Sequence, residues 1–365
     1  MRYNTYGSTG LQVSAIGFGA MRFPAEDYAN GPEKAAELVL RAAEMGINYF
    51  DTAPGYCDQK SESILGCAFR QMKRDTFYVS TKCGLWNAKN ASEARAMIEQ
   101  SLKRMQVDKI DFYHIWSIKN MDDYRAYMRA GGIYEGVLKA KEEGLIGHIC
   151  ASTHASGEDI ETIARDGMVD GFLLGYNAIN FAYRRRGVAA AHAAGLGVVV
   201  MNPLGGGVIP RHAERFGFIQ ALVPGATLPQ AALAFLVGHE AVTVTLPGIA
   251  TVAELEENVA AAELALPVSG AELDALSDRL RAELDALCTG CGYCDSCPSG
   301  VPIPELMDAY NEYILGDKTS LRNRLTYHWD LTTADASACT ACGQCEPLCT
   351  QKLPIIETLK KVAAM

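Results

Sequence analysis

Two cysteine runs near the C-terminal end of the chain have the spacing of metal ligands. The first is Cys288-x-x-Cys291-x-x-Cys294-x-x-Cys297, followed by Pro298, and the second is Cys339-x-x-Cys342-x-x-Cys345-x-x-x-Cys349. Eight of the 12 cysteines lie in these runs. Three thiols at every third residue can converge on one iron–sulfur cluster, and a fourth ligand then comes from elsewhere in the chain. The spacing therefore predicts two 4Fe–4S clusters and, with them, the transfer of single electrons.

Disulfides and zinc are the alternative uses of these cysteines. The N-terminal sequence MRYNTYGSTG has neither the basic nor the apolar region of a secretory signal, so we expect a reducing cytoplasm and free thiols. Four-cysteine zinc sites use two separated C-x-x-C pairs. Each run here instead supplies three thiols within seven residues and then a fourth. The pattern favours iron–sulfur clusters over zinc.

Composition narrows the functional classes. With 49% hydrophobic residues, the 365-residue chain can bury a core larger than that of one ordinary domain. The net charge of -10 argues against nucleic acid or an anionic membrane as the main partner. No apolar run reaches the ~18 to 20 residues of a membrane span. We therefore expect a cytoplasmic protein without a membrane segment.

Short apolar segments alternate with longer amphipathic ones along residues 1–265. We expect eight strands: Ala15–Met21, Ile47–Ala53, Phe77–Cys83, Ile110–Ser117, Ile146–Thr153, Gly171–Tyr176, Gly197–Pro203 and Ala241–Leu246. Their near-continuous apolar character is typical of parallel strands buried on both faces. Repeated strand–helix pairs of this kind predict a (β/α)8 TIM barrel. A doubly wound sheet is less favoured because no G-x-G-x-x-G follows the first strand.

The segment ends carry boundary signals. Ser92 is a candidate N-cap of one helix, and Gly46 and Gly144 follow the ends of two others. Ahead of the barrel, Arg2–Tyr6 and Leu11–Val13 are separated by G-S-T-G and predict a β-hairpin.

In a barrel of this type the carboxyl ends of the strands form one mouth, where the chemistry takes place. The second strand leads to Asp51 and Tyr56, and the third ends near Lys82. A phenol, with a pKa near ~10, is a poor proton donor or acceptor at neutral pH unless its surroundings tune it. An adjacent ammonium favours the phenolate, and a carboxylate can orient that ammonium. The three side chains together predict an acid–base site at the mouth.

Several motifs in residues 1–265 are similar to those of the aldo/keto reductases. They are G-S-T-G-L-Q-V-S-A-I-G-F-G-A-M, D-T-A-P-G-Y with S-E-S-I-L-G, S-T-K, P-L-G-G-G, and L-P-G with E-L-E-E-N. The resemblance implies nicotinamide-dependent hydride transfer to or from a carbonyl or alcohol group of a small-molecule substrate. It also implies that Tyr56 is the general acid, that Lys82 lowers the pKa of Tyr56, and that Asp51 pairs with Lys82.

The resemblance further implies NADP(H) as cofactor, with NAD(H) as the alternative, lying extended across the barrel mouth. The implied contacts are Met21, Ser152, Thr153, Asn177, Pro203, Leu204, Gly206, Gly248, Thr251, Glu254, Glu257 and Asn258. Gly205–Gly207 could let the backbone approach the pyrophosphate or could form a tight turn. Gly248–Glu254 has no basic residue, so helix amides and Thr251 would have to hold a 2′-phosphate. The preference for NADPH over NADH should therefore be weak.

One catalytic position departs from the family pattern. The D-x-Y-x-x-H pattern corresponds here to the segment from Asp111 to Trp116, so Trp116 stands where the family has a catalytic His. Trp116 cannot shuttle a proton, and we expect it to orient a substrate oxygen or to stack on an aromatic substrate. His114 should lie on the same side one layer deeper, as a hydrogen-bonded residue of the barrel interior. His154, at the end of the fifth strand, is another candidate for the missing imidazole.

The chain also resembles the subgroup of this family that carries a ferredoxin-like C-terminal domain. We expect a barrel domain over residues 1–287, with a closing helix at Ala271–Leu287, and a mainly α-helical two-cluster domain over residues 288–365. In two-cluster ferredoxins the fourth cysteine of each run binds the other cluster. The resemblance therefore implies two ligand sets: Cys288, Cys291, Cys294 and Cys349 for one cluster, and Cys339, Cys342, Cys345 and Cys297 for the other.

Three functions remain open from the sequence. The first is hydride transfer from a nicotinamide, with the clusters relaying electrons to a ferredoxin or flavodoxin-type carrier. The second is a ferredoxin-driven reductase of a non-carbonyl substrate, which the replacement of His by Trp116 motivates. The third is a non-catalytic redox-sensing or regulatory barrel, and the presence of Asp51, Tyr56 and Lys82 counts against it.

Overall fold

The computed structural model describes residues 1–265, 267–283, 287–288, 292–349 and 351–365. The chain forms two compact units, of which the first contains residues 1–204 and 217–268 and the second contains residues 205–216 and 269–365. The second unit is therefore discontinuous in sequence. The expected domain boundary between residues 287 and 288 stays a prediction.

Eight strands of the first unit form a parallel barrel. The strands of this unit are β1 (Tyr3–Thr5), β2 (Gln12–Ser14), β3 (Phe18–Gly19), β4 (Tyr49–Asp51), β5 (Tyr78–Cys83), β6 (Ile110–Ile118), β7 (Ile146–Thr153), β8 (Gly171–Gly175), β9 (Gly197–Met201) and β10 (Val244–Leu246). Strands β3 to β10 are neighbours in chain order. Parallel bridges Ile16–Thr245 and Gly19–Gly248 bring the two edges together. The near-closed barrel confirms the expected fold class, and the doubly wound alternative is wrong because its sheet would be open.

Helices follow the strands, as the right-handed β–α crossover requires. They are α1 (Ala25–Tyr28), α2 (Glu33–Glu44), α3 (Ser61–Phe69), α4 (Ala91–Met105), α5 (Met121–Met128), α6 (Ile133–Glu142), α7 (Gly157–Asp166), α8 (Phe181–Ala193), α9 (Val208–Arg211), α10 (Ala213–Gln220), α11 (Leu228–Val237), α12 (Val252–Leu264), α13 (Gly270–Glu283), α14 (Ile303–Leu315), α15 (Lys318–Arg324) and α16 (Ile355–Ala363). Asn90 caps α4 in place of the expected Ser92, since its side chain accepts from the Glu93 amide at 3.0 Å. Within the described ranges, no helix combines the length and the apolar character needed to cross a bilayer.

The expected N-terminal hairpin is formed by β1 and β2. Tyr6, just after β1, is fully buried in one cluster with Tyr49, Phe112 and Cys150. Its ring centroid lies 4.2 Å from that of Phe112, and its hydroxyl lies 3.3 Å from Cys150 Sγ. Since Tyr49 and Phe112 come from the first halves of their strands, Tyr6 fills the end of the barrel opposite to the mouth.

Glu62 connects α3 to two neighbouring elements. Its carboxylate is fully buried and accepts from Thr81 Oγ1 at 2.7 Å and from Arg104 Nε at 2.6 Å. Thr81 belongs to β5 and precedes Lys82, so this contact also fixes the strand that carries the lysine of the mouth.

The second unit is mainly α-helical, as expected. Its core consists of apolar side chains of α14, α15 and α16 packed with cysteines of the two runs, and includes Leu306, Leu321 and Leu359. The expected closing helix corresponds to α13, which is described as far as Glu283.

The segment 205–216, which belongs to this second unit, is held by one face of α14. Two arginines and a histidine make the contacts. Arg211 Nη2 lies 3.5 Å from Asp308 Oδ1, Arg215 Nε donates to the Leu315 carbonyl at 2.7 Å, and His212 Nε2 lies 3.4 Å from Glu312 Oε1 without hydrogen-bond geometry. The three α14 positions are spaced four and three residues apart, so they lie on the same face of the helix.

A neighbouring residue of α14 holds the first cysteine run. Asn311 is buried, and its side chain exchanges two hydrogen bonds with the backbone of Cys288, at 2.8 Å from the Cys288 amide and 2.7 Å to the Cys288 carbonyl. Helix α14 is thus fixed both to a cysteine of the first run and to the segment 205–216.

We predict that Glu62→Ala destabilises the barrel by about 2 to 4 kcal/mol, because Thr81 and Arg104 lose a buried acceptor. A urea titration of the barrel transition measures the change in the free energy of unfolding. The matched control is Glu99→Ala, which removes the partly exposed ion pair between Arg95 and Glu99 and should cost less than about 0.5 kcal/mol. Equal losses in the two variants would contradict the role given to Glu62.

Candidate functional site

Asp51 and Lys82 form a buried ion pair at the carboxyl ends of neighbouring strands. Asp51 ends β4 and pairs in register with Ser80 of β5, which places Lys82 two residues further along the same face. Lys82 Nζ donates to Asp51 Oδ1 at 2.7 Å, and Ser80 Oγ donates to Asp51 Oδ2 at 2.7 Å. Lys82 and Asp51 are 1% and 3% exposed. Each oxygen of the carboxylate therefore has a donor, and the ammonium has its counter-charge.

The phenol of Tyr56 adjoins the same ammonium. Lys82 Nζ lies 5.3 Å from the centroid of the Tyr56 ring. Burial raises the pKa of Tyr56, and the charge and hydrogen bond of Lys82 oppose this without overcoming it. Burial lowers the pKa of Lys82, but Asp51 and Tyr56 outweigh burial, so this pKa lies above its ordinary value. At neutral pH the site holds a protonated phenol beside an ammonium.

Two tryptophans extend the site outward from Tyr56. The ring of Trp116 meets Tyr56 edge to face at 6.2 Å, and Trp86 meets Trp116 in the same way at 5.5 Å. Trp86 is 57% exposed. Gly84 permits this packing, since a Cβ there would lie 1.8 Å from the carbonyl oxygen of Trp116. The hydroxyl of Tyr127 donates to that same carbonyl and so fixes the end of β6.

His114 lies beside Lys82 on the neighbouring strand. The two residues are paired in register between β5 and β6. The imidazole is fully buried, and neither ring nitrogen has a partner among the residues that the structure describes. Burial, helped by the charge of Lys82, holds the pKa of His114 well below its ordinary value. The expected hydrogen bond of His114 is therefore wrong for the described part of the chain, because no donor or acceptor there reaches either ring nitrogen.

His154, the other imidazole considered, follows β7. Burial, with the charges of Arg184 and Lys119, lowers the pKa of His154 to about 3. The backbone carbonyl of His154 accepts from Arg184 Nη2 at 2.9 Å. Neither histidine can therefore act as a cationic acid near neutral pH.

The predicted nicotinamide contacts differ in how much hydrogen-bonding capacity they have left. Thr153 Oγ1 already donates to the Ile118 carbonyl at 2.8 Å, and Asn177 Nδ2 donates to the Asn202 carbonyl at 3.0 Å. Ser152 is buried, and its hydroxyl has no partner within the described part of the chain. Ser152 also pairs in register with Trp116, so it lies at the same height as the mouth. This orphaned hydroxyl fits a carboxamide group such as that of nicotinamide.

Side chains of Thr251 and Glu254 already accept hydrogen bonds from backbone amides at the start of α12. Thr251 Oγ1 accepts from the Glu254 amide at 3.2 Å, and Glu254 Oε2 accepts from the Ala250 amide at 2.8 Å. One turn further on, Glu257 accepts from Thr227 Oγ1 at 2.7 Å. Two amides at this helix start are thus already satisfied, one of them by a carboxylate.

The other predicted cofactor contacts lie after strands, within α12 or in a glycine segment. Met21 follows β3 and is exposed, Pro203 and Leu204 follow β9, and Asn258 is buried within α12. Gly206 has a φ of 68°, and its two glycine neighbours are also left-handed, so this segment forms a tight turn.

Arg22 is a cation of the mouth that sequence reasoning missed. Its aliphatic stem lies across Gly248, where a Cβ would approach Arg22 Cγ to 2.5 Å. Its charge acts to lower the pKa values of Tyr56 and Cys57. No carboxylate within the described ranges forms an ion pair with it. In the sequence, Arg22 is only a single arginine directly after the predicted first strand, Ala15–Met21. Solvated surface arginines also occur at such positions, so the sequence did not distinguish it from them.

The cysteines of the second unit line two pockets, with empty volumes of about 380 and 340 Å³. The first pocket is lined by Cys294, Cys297, Cys339, Cys342 and Cys345. The second is lined by Cys288, Cys294 and Cys349. Cys297 thus lines the same pocket as cysteines of the second run, and Cys349 lines the same pocket as cysteines of the first, while Cys294 lines both. The assignment of ligands to each cluster stays a prediction. Cys291, another expected ligand, lies outside the described residues.

The surroundings of these thiols fit iron–sulfur clusters. Apolar side chains such as Val301, Leu353 and Ile355 line the remainder of the pockets. The Leu353 amide donates to Cys349 Sγ at 3.3 Å, a type of bond that stabilises ligand sulfurs. Across the described residues, no three His, Cys, Asp or Glu side chains form a group suited to one metal ion. A 4Fe–4S cluster is held by four separate thiolates.

The barrel, its polar mouth and the cysteine-lined unit define an oxidoreductase with an iron–sulfur segment. The chain belongs to the aldo/keto reductase family, which its residues 15–276 match. Residues 287–353 match the 4Fe-4S dicluster domain.

Relatives and solved structures of this family cover most of the chain. The L-galactose dehydrogenase of Arabidopsis thaliana is 28% identical over 282 residues, which is 70% of this chain and 86% of that protein. The pyridoxine 4-dehydrogenase of Escherichia coli is 27% identical over 289 residues, 73% of this chain and 95% of that protein. The holo form of an aldo-keto reductase from Bacillus halodurans superposes with a TM-score of 0.63 at 22% identity, over 76% of this chain and 96% of that one. The last likeness shows the fold alone.

We predict that His114 makes the barrel less stable in acid. Its pKa is lowered on folding, so below the unfolded value of 6.5 the unfolded chain binds the extra proton and unfolding becomes easier. The stability is complete above that pH and is lost as pH falls towards the folded pKa. His114→Gln should reduce the slope of unfolding free energy against pH between 6.5 and about 5 by up to about 1.4 kcal/mol per pH unit.

Urea titrations at several pH values measure this slope. His192→Gln, which changes an exposed histidine of α8, is the control and should keep the wild-type slope. The same slope in wild type and His114→Gln would show that His114 titrates normally in the folded barrel.

Proposed function

We propose that this oxidoreductase transfers a hydride between a nicotinamide cofactor and a carbonyl or alcohol group of a small molecule bound at the barrel mouth. The observation that carries the proposal is the arrangement of Tyr56, Lys82 and Asp51, in which a protonated phenol adjoins an ammonium held by a buried carboxylate. We further propose that the cysteine-lined unit binds two 4Fe–4S clusters that exchange single electrons with an external carrier.

In reduction, Tyr56 donates its hydroxyl proton to the carbonyl oxygen of the substrate. Its raised pKa keeps that proton in place until negative charge develops on the oxygen. Lys82 then stabilises the phenolate that remains, because an ammonium 5.3 Å from the ring centroid favours the anion. Asp51 keeps Lys82 charged and oriented. Trp116 contributes an apolar wall, with its single N–H as the only donor.

The nicotinamide supplies the hydride when it is bound. Ser152 would hold its carboxamide with the hydroxyl that has no partner among the described residues. The other residues that we propose to contact the cofactor are Met21, Thr153, Asn177, Pro203, Leu204, Gly206, Gly248, Thr251, Glu254, Glu257 and Asn258. Arg22 joins this set as a cation for the negative charges of the nucleotide.

The clusters supply one-electron transfer when they are bound. We propose Cys288, Cys291, Cys294 and Cys349 as ligands of one cluster, and Cys339, Cys342, Cys345 and Cys297 as ligands of the other. Cys342 is exposed, whereas Cys345 and Cys349 are buried. A ferredoxin or flavodoxin-type protein is the proposed carrier, and the cytoplasm is the proposed location because thiols stay reduced there.

Tyr56→Phe should lower the rate of carbonyl reduction by about 10² to 10⁴-fold, because the general acid is lost while the ring and its packing remain. Nicotinamide oxidation by a panel of small aldehydes and ketones measures this rate. The control Tyr3→Phe removes a hydroxyl that donates to the Gly46 carbonyl away from the mouth, and it should leave the rate unchanged.

Unchanged turnover in Tyr56→Phe would remove Tyr56 from the role of general acid. The replacement of His by Trp116 favours a second candidate, a reductase that takes its electrons from reduced ferredoxin and acts on a substrate other than a carbonyl. Turnover with reduced ferredoxin but with neither nicotinamide would establish that function in place of hydride transfer.

Cys345→Ser should remove one cluster and lower the iron content from about eight to about four per chain. Iron analysis and electron paramagnetic resonance of anaerobically purified protein measure the change. Cys67→Ser alters a buried cysteine of α3 and should keep about eight irons. Bound zinc without iron in the wild-type protein would contradict the cluster assignment.

A further inference from the structure

The helix start that would face a nucleotide 2′-phosphate is already occupied by a carboxylate. Glu254 Oε2 accepts from the Ala250 amide at 2.8 Å, and the Glu254 amide is taken by Thr251 Oγ1 at 3.2 Å. Thr251 thus caps the helix with its side chain, and Glu254 binds the amide of the residue before the cap, so two amide donors near this helix start are taken. An incoming phosphate would have to displace the carboxylate to use the Ala250 amide.

The charged residues near the start of α12 do not neutralise the Glu254 carboxylate. Glu257, one turn along α12, is a second acid and is bound to Thr227 at the start of α11. Arg41 of α2 is directed to Glu256, at 3.6 Å. Arg22 lies against Gly248, before the start of α12, and its charge acts on Tyr56 and Cys57. The residues present do not fit a dianionic 2′-phosphate.

We propose that the protein selects NADH over NADPH and that Glu254 is the residue that sets this selection. The inference rests on the proposed function, since it concerns the cofactor of that site. NADH presents a neutral 2′-hydroxyl where NADPH presents two negative charges, so the carboxylate repels only the latter. The 2′-hydroxyl of NADH is neutral and can also donate a hydrogen bond to the Glu254 carboxylate. Arg22 would bind the pyrophosphate, which is common to both nucleotides, and would therefore not discriminate between them.

Titration of protein fluorescence gives the dissociation constants of NADH and NADPH for the full chain. Wild type should bind NADH more tightly. Glu254→Gln keeps an amide oxygen for the Ala250 amide, so the helix start stays capped, but it removes the charge. The ratio of the NADPH constant to the NADH constant should then fall by about 5 to 10-fold, the effect of one unit charge at close range in water.

Two further variants complete the experiment. Glu256→Gln removes an acid from the exposed side of the same helix, and the ratio should stay at its wild-type value. Arg22→Met should weaken both nucleotides by the same factor. A larger loss for NADPH in this variant would place the 2′-phosphate against Arg22 and overturn the inference.

The remaining outcomes separate the two proposals. Binding of neither nucleotide to the wild-type chain would overturn the proposed function itself. Equal or tighter binding of NADPH by wild type would overturn the selection of NADH alone. An unchanged ratio in Glu254→Gln would remove Glu254 as its cause.

Discussion

The ammonium of Lys82 has almost no access to water, and a cation in that position is tolerated only while a counter-charge is fixed beside it. Removing an ion from water costs on the order of several kcal/mol, and that cost must be offset by close and well-directed partners. Asp51 at 2.7 Å offsets it, and Ser80 and the register of β4 against β5 keep Asp51 in position. Burial lowers the pKa of His114, and the Lys82 charge adds to that effect, whereas the same charge opposes the rise in pKa that burial causes at Tyr56. The barrel mouth is therefore organised around one ion pair.

Sequence reasoning predicted the features that repeat along the chain. Parallel strands buried on both faces give continuous apolar segments in the sequence. Asp51 and Lys82 each lie at the carboxyl end of such a segment, so their positions could be predicted from it. The cysteine spacing likewise reflects local geometry. The first residue of a helix was harder to predict where two nearby residues could both serve as the N-cap. At the start of α4, Asn90 is the cap and Ser92 is not. There the residue whose side chain reaches the Glu93 amide determines the helix start.

Contacts between distant parts of the chain could not be predicted in this way. The stem of Arg22 reaches Gly248, more than 200 residues away in sequence, and only the closure of the barrel brings them together. The family resemblance implied Glu254 as a cofactor contact but did not indicate that its carboxylate would accept a hydrogen bond from the Ala250 amide. We expected a hydrogen bond for His114 because buried polar groups usually have one, but no donor or acceptor within the described residues reaches its ring nitrogens.

Because the second unit is discontinuous in sequence, it limits how an iron–sulfur segment can be exchanged between related proteins. Arg211, His212 and Arg215 belong to a stretch flanked by barrel sequence, yet their partners are on α14. A shortened chain that ends at residue 287 would leave these basic side chains without those acceptors. Grafting the cysteine segment onto a related barrel would leave Glu312 and the Leu315 carbonyl without His212 and Arg215 beside them. Exchange of the iron–sulfur segment between relatives therefore requires residues 205–216 to move with it, so the two stretches are expected to vary together.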